Sequence, residues 1–135
     1  VAVGNPHCVL FTHEPPPAGA ELAAWGRALG HHPAFPGGIN VEFAQPISPT
    51  GLAVTVWERG SGATLACGTG ACAVAAAAVL TGRCPRDAPI LVQLPGGTLE
   101  VCVQRDDTVL LTGDAAATFS GTVLIQPCKA PRGVV

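Results

Sequence analysis

A cysteine directly before a glycine-rich turn is the residue of this sequence best placed to do chemistry. Cys67-Gly68-Thr69-Gly70 precedes the apolar run 71–80, which predicts a helix with Cys67 at its mouth. The first turn of a helix has unpaired N–H groups and a partial positive charge. The N–H groups of 68–70 could therefore bind a carboxylate, and the same field would favour a thiolate. Such a thiolate could remove the α-proton of a bound amino acid; a buried cysteine before a packed helix is the equal alternative.

Two adjacent opposite charges end the strand that precedes this thiol. In Trp57-Glu58-Arg59-Gly60, Arg59 has a planar guanidinium suited to a carboxylate. Glu58 could accept hydrogen bonds from an ammonium group. Together the two side chains could hold the charged ends of a substrate. The alternative is a surface ion pair, which taken alone is the commoner case.

Two asparagines and a histidine are further candidates for binding a polar ligand. Asn5 stands in Gly4-Asn5-Pro6-His7, and the proline after it favours an extended or turn conformation. Asn40 falls on the strand face opposite Ile39, Val41 and Phe43. Either amide could bind a ligand or satisfy a turn. His7 could tune a thiol or bind substrate, although a lone histidine is more often structural.

The cysteine pattern favours reduced thiols. No C-x-x-C pair occurs and no histidine follows at a zinc-ligand spacing, so we expect no metal site. Because no secretory signal is present, we expect a cytoplasmic protein, with a disulfide framework as the minor alternative. We interpret the five cysteines other than Cys67 as small apolar residues in or near the core: Cys8, Cys72, Cys84, Cys102 and Cys128.

Composition predicts a packed globular protein and narrows its partners. Hydrophobic residues make up 48% and charged residues 12% of the 135 positions, which argues against disorder. The net charge of -2 offers no basic surface, so we expect no nucleic-acid partner. No apolar run approaches the roughly 20 residues of a membrane helix, so we expect no membrane partner either. The chain has no Met and begins at Val1, from which we expect an N-terminal part to be missing.

A mixed α and β pattern must position these residues. Alternation and turn signals predict strands over 6–11, 39–44, 52–57, 90–94, 99–104, 109–112 and 118–126. Turns or loops are predicted at 46–51, 60–62 and 95–97. One helix is predicted over 20–29, with Leu22, Trp25, Ala28 and Leu29 on its inner face, and a second over 71–80, apolar all round. This predicts an α+β fold whose mixed, largely antiparallel sheet curls around a central apolar helix, followed by a loose tail at 127–135.

Taken in order, these strings resemble the C-terminal half of the diaminopimelate epimerase family. The resemblance spans nearly the whole chain, to about residue 125. Proline racemases share a C-G-T-G segment but lack the W-E-R-G string before it. The matching strings are Gly4-Asn5-Pro6-His7-Cys8-Val9, Asn40-Val41-Glu42-Phe43, Trp57-Glu58-Arg59-Gly60, Leu65-Ala66-Cys67-Gly68-Thr69-Gly70-Ala71-Cys72-Ala73, Leu94-Pro95-Gly96-Gly97 and Thr112-Gly113.

The resemblance implies an enzyme that converts LL-2,6-diaminopimelate to the meso isomer, in lysine and peptidoglycan precursor biosynthesis, without any cofactor. The family fold pairs two pseudo-symmetric domains, each with a sheet wrapped about a central helix and each supplying one cysteine to the cleft between them. Residues 1–126 would then be the second half, incomplete and inactive alone. The missing N-terminal half of the same protein would supply the other thiol, and the full-length protein would form a homodimer.

The resemblance also implies roles for single residues. Cys67 would be the catalytic thiol, Gly68 and Thr69 would bind the reacting carboxylate, and His7 would support the reacting centre. The distal end of the substrate would contact Asn5, Asn40 and Arg59, and its amino group Glu58. Asp114 departs from the family, which usually has proline there; we expect this to affect a turn only. Two alternatives stay open: another two-cysteine racemase, and a module that binds an amino acid without converting it.

Overall fold

A computed structural model describes residues 1–124 as one mixed sheet with a helix on each face, which confirms the predicted α+β class. The strands follow the sheet order β1-β2-β3-β5-β6-β7, and the short β4 pairs with β3. The helices are α1 (Gly19–Gly30) and α2 (Gly68–Leu80). The strands are β1 (His7–Phe11), β2 (Asn40–Ser48), β3 (Gly51–Glu58), β4 (Gly62–Thr64), β5 (Pro89–Leu94), β6 (Gly97–Val103) and β7 (Val109–Thr112).

The strand directions place the candidate site residues together at one edge of the sheet, where strands β1 and β2 begin and β3 ends. β1 runs parallel to β2, with His7 paired to Asn40, and β3 runs antiparallel to β2, with Trp57 paired to Val41. The amino ends of β1 and β2 therefore lie beside the carboxyl end of β3. On the side of β3 away from β2, β5 pairs with the first residues of β3 and β4 pairs with its last residues. Two strands therefore share this side of β3.

The sheet curls around α2, as predicted. This helix contacts both outer strands, β1 and β7, as well as β2, β5 and β6. Nine of its 13 residues are buried, most of them alanine, glycine or valine, because small side chains let strands approach from several directions. Leu80, at its last position, is largely exposed.

The predicted inner face of α1 is wrong in part. Leu22 is buried and Leu29 packs at the margin of the same cluster, but Trp25 is 54% exposed and Ala28 faces solvent. The buried row is instead Leu22, Gly26 and Gly30, spaced four residues apart.

The aromatic side chain at this interface comes from the sheet. Trp57 of β3 packs against α1, and a Cβ atom at Gly26 would lie 2.3 Å from its Cγ. Because the indole already occupies the space between helix and sheet, α1 turns its glycines inward and Trp25 outward. Helical periodicity alone therefore predicted that Trp25 packs between helix and sheet, whereas Trp57 does.

Three local predictions need correction. The turn between β2 and β3 is confined to Pro49 and Thr50, because β2 continues through Ser48 with an irregularity after Pro46. The loop after Gly60 contains the unpredicted strand β4.

Residues 118–124 form no strand, and Phe119 is 89% exposed. Alternation predicts a strand only where a neighbour supplies hydrogen bonds, and none within 1–124 pairs with this segment. Residues 125–126, the tail from 127 and Cys128 lie outside the described residues.

Two further findings concern the cysteines and the helices that the structure describes. Cys8, Cys67, Cys72, Cys84 and Cys102 are all unpaired, so a disulfide framework does not form among them. No helix within residues 1–124 is long and apolar enough to cross a membrane.

Candidate active site

Cys67 is the N-cap residue of α2. Its backbone is extended, with φ −143° and ψ 110°, and its Sγ accepts a hydrogen bond from the N–H of Gly70 at 3.4 Å. The hydroxyl of Thr69 lies 3.5 Å from the same sulfur. A thiol thus occupies the capping position that oxygen side chains usually fill. Both the N–H donor and the positive end of the helix stabilise a negative charge on this sulfur.

The first turn of α2 leaves two N–H groups for a ligand. The sequence predicted that 68, 69 and 70 would donate together, but the N–H of Gly70 is already bound to Cys67. Gly68 is half-buried and Thr69 is exposed, so their N–H groups remain for a carboxylate. Gly70 has no room for a side chain, because a Cβ atom there would lie 3.0 Å from Oε1 of Glu42 and 3.3 Å from Sγ of Cys67.

A buried polar chain begins beside this turn. Nδ1 of His7 lies 2.6 Å from Oε1 of Glu42, and Nε2 of His7 lies 3.0 Å from Oδ1 of Asn5. His7 is 2% exposed, Glu42 is 0% exposed and Asn5 is half-buried. His7 is therefore buried, as a structural histidine would be, and it also connects the core to a candidate ligand residue at the surface.

Glu42 is the member of this chain that sequence reasoning missed. It stood in an alternating strand, where a polar residue ordinarily faces solvent. The first five residues of β2 are all buried, because α1 and α2 cover opposite faces of the sheet. Burial raises the pKa of Glu42, against the opposing effect of its hydrogen bond to His7. The available signal was a carboxylate placed directly between the apolar residues Val41 and Phe43.

Asn40 and Arg59 are joined by a hydrogen bond. The backbone N–H of Arg59 donates to Oδ1 of Asn40 at 2.8 Å, so the buried asparagine fixes the chain where β3 ends. One guanidinium nitrogen of Arg59 donates to the carbonyl of Gly37 at 2.7 Å, and the aliphatic stem packs against Gly38. The arginine head is therefore anchored on the loop before β2, at an exposed position.

Glu58 binds Thr64, whereas the alternative of a surface ion pair would require it to bind Arg59. Its Oε1 accepts a hydrogen bond from the hydroxyl of Thr64 at 2.7 Å. Within residues 1–124 the ion pairs are those of His7, Arg86 and Arg105, so Glu58 and Arg59 do not pair with each other. The carboxylate of Glu58 is instead held toward β4, and this strand ends three residues before Cys67.

The structure brings the eight predicted site residues into two linked groups. Asn5 and His7 connect to the first turn of α2, with Cys67, Gly68 and Thr69, through Glu42. Asn40, Arg59 and Glu58 form the second group, joined to the first because His7 and Asn40 are strand partners.

This edge is an open surface. Two cavities lie elsewhere: one of about 430 Å³ is lined by Val3, Leu80 and Val109 among others, and one of about 370 Å³ by Pro17, Trp25 and Phe43 among others. A ligand at the edge would need a second surface to enclose it. Among the described residues, no three His, Cys, Asp or Glu side chains converge to hold a metal ion.

Three other thiols lie in environments that disfavour their reactive form. Burial raises the pKa of Cys72, with a smaller contribution from the nearby Cys67. Burial also raises the pKa of Cys84 and, together with the charge of Glu42, that of Cys8. These three sulfurs have the character of small apolar residues, as the sequence predicted.

The comparisons with a family profile and with single known proteins agree with each other. The sequence profile of the family described as diaminopimelate epimerase matches residues 1–118. A diaminopimelate epimerase of Synechococcus elongatus is 49% identical over 123 residues, covering 91% of this chain and 42% of that protein. One from Microcystis aeruginosa is 50% identical over 122 residues, covering 90% and 42%. A third, from Synechococcus sp. JA-2-3B'a(2-13), is 53% identical over 124 residues, covering 90% and 43%. The chain thus spans well under half the length of these relatives.

Proposed function

The chain belongs to the diaminopimelate epimerase family, and we propose that it supplies one of the two thiols with which the whole protein converts LL-2,6-diaminopimelate to the meso isomer. The observation that carries this proposal is the position of Cys67. Its sulfur caps α2 next to two N–H groups that no helical bond uses. An acid/base group and a carboxylate site thereby occupy one helix turn.

The proton transfer follows from that geometry. The substrate carboxylate accepts hydrogen bonds from the N–H groups of Gly68 and Thr69, which holds the α-carbon close to Cys67. The thiolate takes the α-proton and becomes a thiol, and the electron pair left on carbon spreads into the carboxylate. The same N–H groups stabilise the charge as it develops there.

Inversion requires a proton from the opposite face of the planar carbon. A second thiol, outside this chain, donates that proton and becomes the thiolate. In the reverse direction the two thiols exchange roles. Both acid/base groups are then protein side chains, and the proposed reaction needs no cofactor.

The remaining residues would hold the two polar ends of the substrate. Glu58, held toward β4 by Thr64, would accept hydrogen bonds from the reacting amino group. Arg59, Asn40 and Asn5 would bind the distal amino-acid end. Because Arg59 is anchored at one nitrogen on Gly37, its other N–H groups keep a defined direction. His7 would support the reacting centre from beneath.

The other partners are part of the same proposal. The open site edge requires a facing surface, which we assign to the remaining half of the protein. We further propose that the whole protein is a homodimer and acts in the cytoplasm, in lysine and peptidoglycan precursor biosynthesis.

The test uses a completed protein: this chain joined to the segment of the Synechococcus elongatus relative that it does not cover. We expect this protein to convert LL-diaminopimelate to the meso isomer and to introduce deuterium from D₂O at the inverted carbon. Cys67→Ser should abolish conversion, since a hydroxyl is far too weak an acid to replace the thiol. Cys72→Ser, five residues further along inside the apolar helix, is the matched control and should retain conversion.

The same measurement separates the alternatives. Racemisation of another amino acid, with diaminopimelate unchanged, would favour a different two-cysteine racemase. Binding of diaminopimelate without deuterium exchange would favour a binding module. Full conversion by Cys67→Ser would contradict the assigned thiol.

A further inference from the structure

Glu42 is a buried carboxylate that the proposed proton transfer does not use. Its Oε1 contacts Nδ1 of His7 at 2.6 Å, while its Oε2 has no hydrogen-bond partner among residues 1–124. A buried carboxylate oxygen without a partner costs free energy, and an apolar residue at the same place would usually give a more stable core. Stability is therefore a poor reason for a glutamate at this position.

The groups around Glu42 show how it acts on His7. His7 attracts its charge, Glu58 repels it, and the thiol of Cys8 lies near it. The shortest contact is the one to Nδ1 of His7, and the other ring nitrogen faces Oδ1 of Asn5. With an oxygen acceptor at each nitrogen, the imidazole plane is fixed, and Nε2 is directed toward the half-buried asparagine.

The same carboxylate oxygen also supports the turn that carries the thiol. A Cβ atom on Gly70 would lie 3.0 Å from Oε1 of Glu42 and 3.3 Å from Sγ of Cys67, so the carboxylate and the sulfur lie against one point of the helix. A single side chain on β2 thus contacts the imidazole from β1 and lies beside the first turn of α2.

We propose that Glu42 is a positioning residue of the thiol site, which fixes the His7 imidazole and the first turn of α2 relative to each other. This inference rests on the proposed function, because the arrangement serves proton transfer at Cys67. Holding β1 against β2 is not its task, since five consecutive residue pairs already join these strands.

The first test is Glu42→Gln in the completed protein, with Glu100→Gln as the control that removes one exposed negative charge. Glutamine has nearly the same shape and leaves no charge in the core. We expect kcat to fall about tenfold or more, as is usual when the partner that orients a functional histidine is lost. We expect KM to change little and the melting temperature at pH 7 to stay the same or rise. Glu100→Gln should keep all three values.

A purely structural role would lower the melting temperature and the activity together, and that outcome, or an unchanged kcat in Glu42→Gln, would overturn the inference.

A second measurement does not depend on turnover. In protein labelled with ¹⁵N-histidine, the proton on Nδ1 of His7 should be strongly deshielded, and Glu42→Gln should move it upfield, while Glu100→Gln leaves it in place. Loss of the signal in His7→Gln assigns it. If the unsubstituted completed protein forms no meso isomer, the proposed function fails, and this resonance alone decides for or against Glu42.

Discussion

The sulfur of Cys67 accepts a hydrogen bond across 3.4 Å from the N–H of Gly70, three residues further along the chain. This contact turns a cysteine into a helix cap and gives the sulfur a donor that stabilises its anion. Burial raises the thiol pKa values of Cys72 and Cys84. The first prediction follows from this difference.

In the completed protein at neutral pH, Cys67 should react with iodoacetamide faster than Cys8, Cys72 and Cys84, and bound diaminopimelate should slow its reaction. The reason is that the thiolate is the nucleophile and that, of these four cysteines, only Cys67 caps a helix. Mass spectrometry after limited alkylation, with and without ligand, ranks the sites. If Cys72 or Cys8 reacted first and the ligand protected it, the assignment of the thiol would be wrong.

This chain alone should form no meso-diaminopimelate and should aggregate. It carries one thiol at the site, and inversion needs a base on one face of the carbon and a proton donor on the other. Among residues 1–124 the outer strands β1 and β7 each have one unpaired edge, and Leu110 and Leu111 of β7 are about half exposed, a combination that promotes association between chains. Chiral chromatography and light scattering test both statements. A soluble monomer with a sharp melt, or steady formation of the meso isomer, would contradict them.

Gly26→Ala should destabilise the packing of α1. A Cβ atom at this position would lie 2.3 Å from Cγ of Trp57, so helix and indole must separate. We expect a loss of about 1–3 kcal/mol in the free energy of unfolding, as for other overpacked cores, although alanine is the better helix former. Gly121→Ala is the control, because a Cβ atom there meets no neighbouring atom within 4 Å. Urea unfolding measures both variants, and equal stability would show that Trp57 can move aside without cost.

Glu42 should make the stability of the completed protein depend on pH. Burial raises the pKa of this carboxyl from 4.5, so the folded state holds its proton more tightly than the unfolded state. The stabilising contribution is present below about pH 4.5 and is lost as pH rises through the folded value. Asp106, whose pKa is lowered by hydrogen bonds to Thr108, acts in the opposite sense but below pH 3.8.

Urea unfolding from pH 4.5 to 7.5 checks this dependence. The stability of Glu42→Gln relative to the unsubstituted protein should rise with pH, because glutamine does not titrate. Glu100→Gln controls for the loss of one charge. A constant difference across this range would show that the Glu42 carboxyl titrates alike in both states.

Periodicity and turn chemistry were sufficient for most of the fold. The apolar run of α2 predicted a helix buried on nearly all sides, and the hairpin at Pro95 and Gly96 was correctly placed. The inner face of α1 was not predictable, because it depends on Trp57, a residue 31 positions after Gly26 whose approach is a tertiary contact. A segment such as 118–124 has strand-like alternation but no neighbour among the described residues, and local sequence does not reveal that.

The candidate site was predictable where a residue's role depends on its neighbours in sequence. The placement of Cys67 at the start of α2 follows from the sequence, whereas its role as the catalytic thiol remains a prediction. The same reasoning counted the Gly70 N–H as a ligand donor, whereas the sulfur occupies it. Glu42 was missed because its contacts with His7 and Gly70 join three separate elements. The assigned ligand roles of Asn5, Asn40, Glu58 and Arg59 remain predictions.

The near-complete enclosure of α2 has a consequence for the order of folding. A 13-residue helix without an amphipathic face is marginal in water by itself. Its neighbours include β1, which begins at His7, and β7, which ends at Thr112, so its surroundings close only when distant parts of the chain have met. Such non-local closure is slow compared with hairpin formation. We expect the cap at Cys67 to form late, so that a chain still folding, or newly synthesised, carries an ordinary cysteine and acquires its reactive thiol only in the last step.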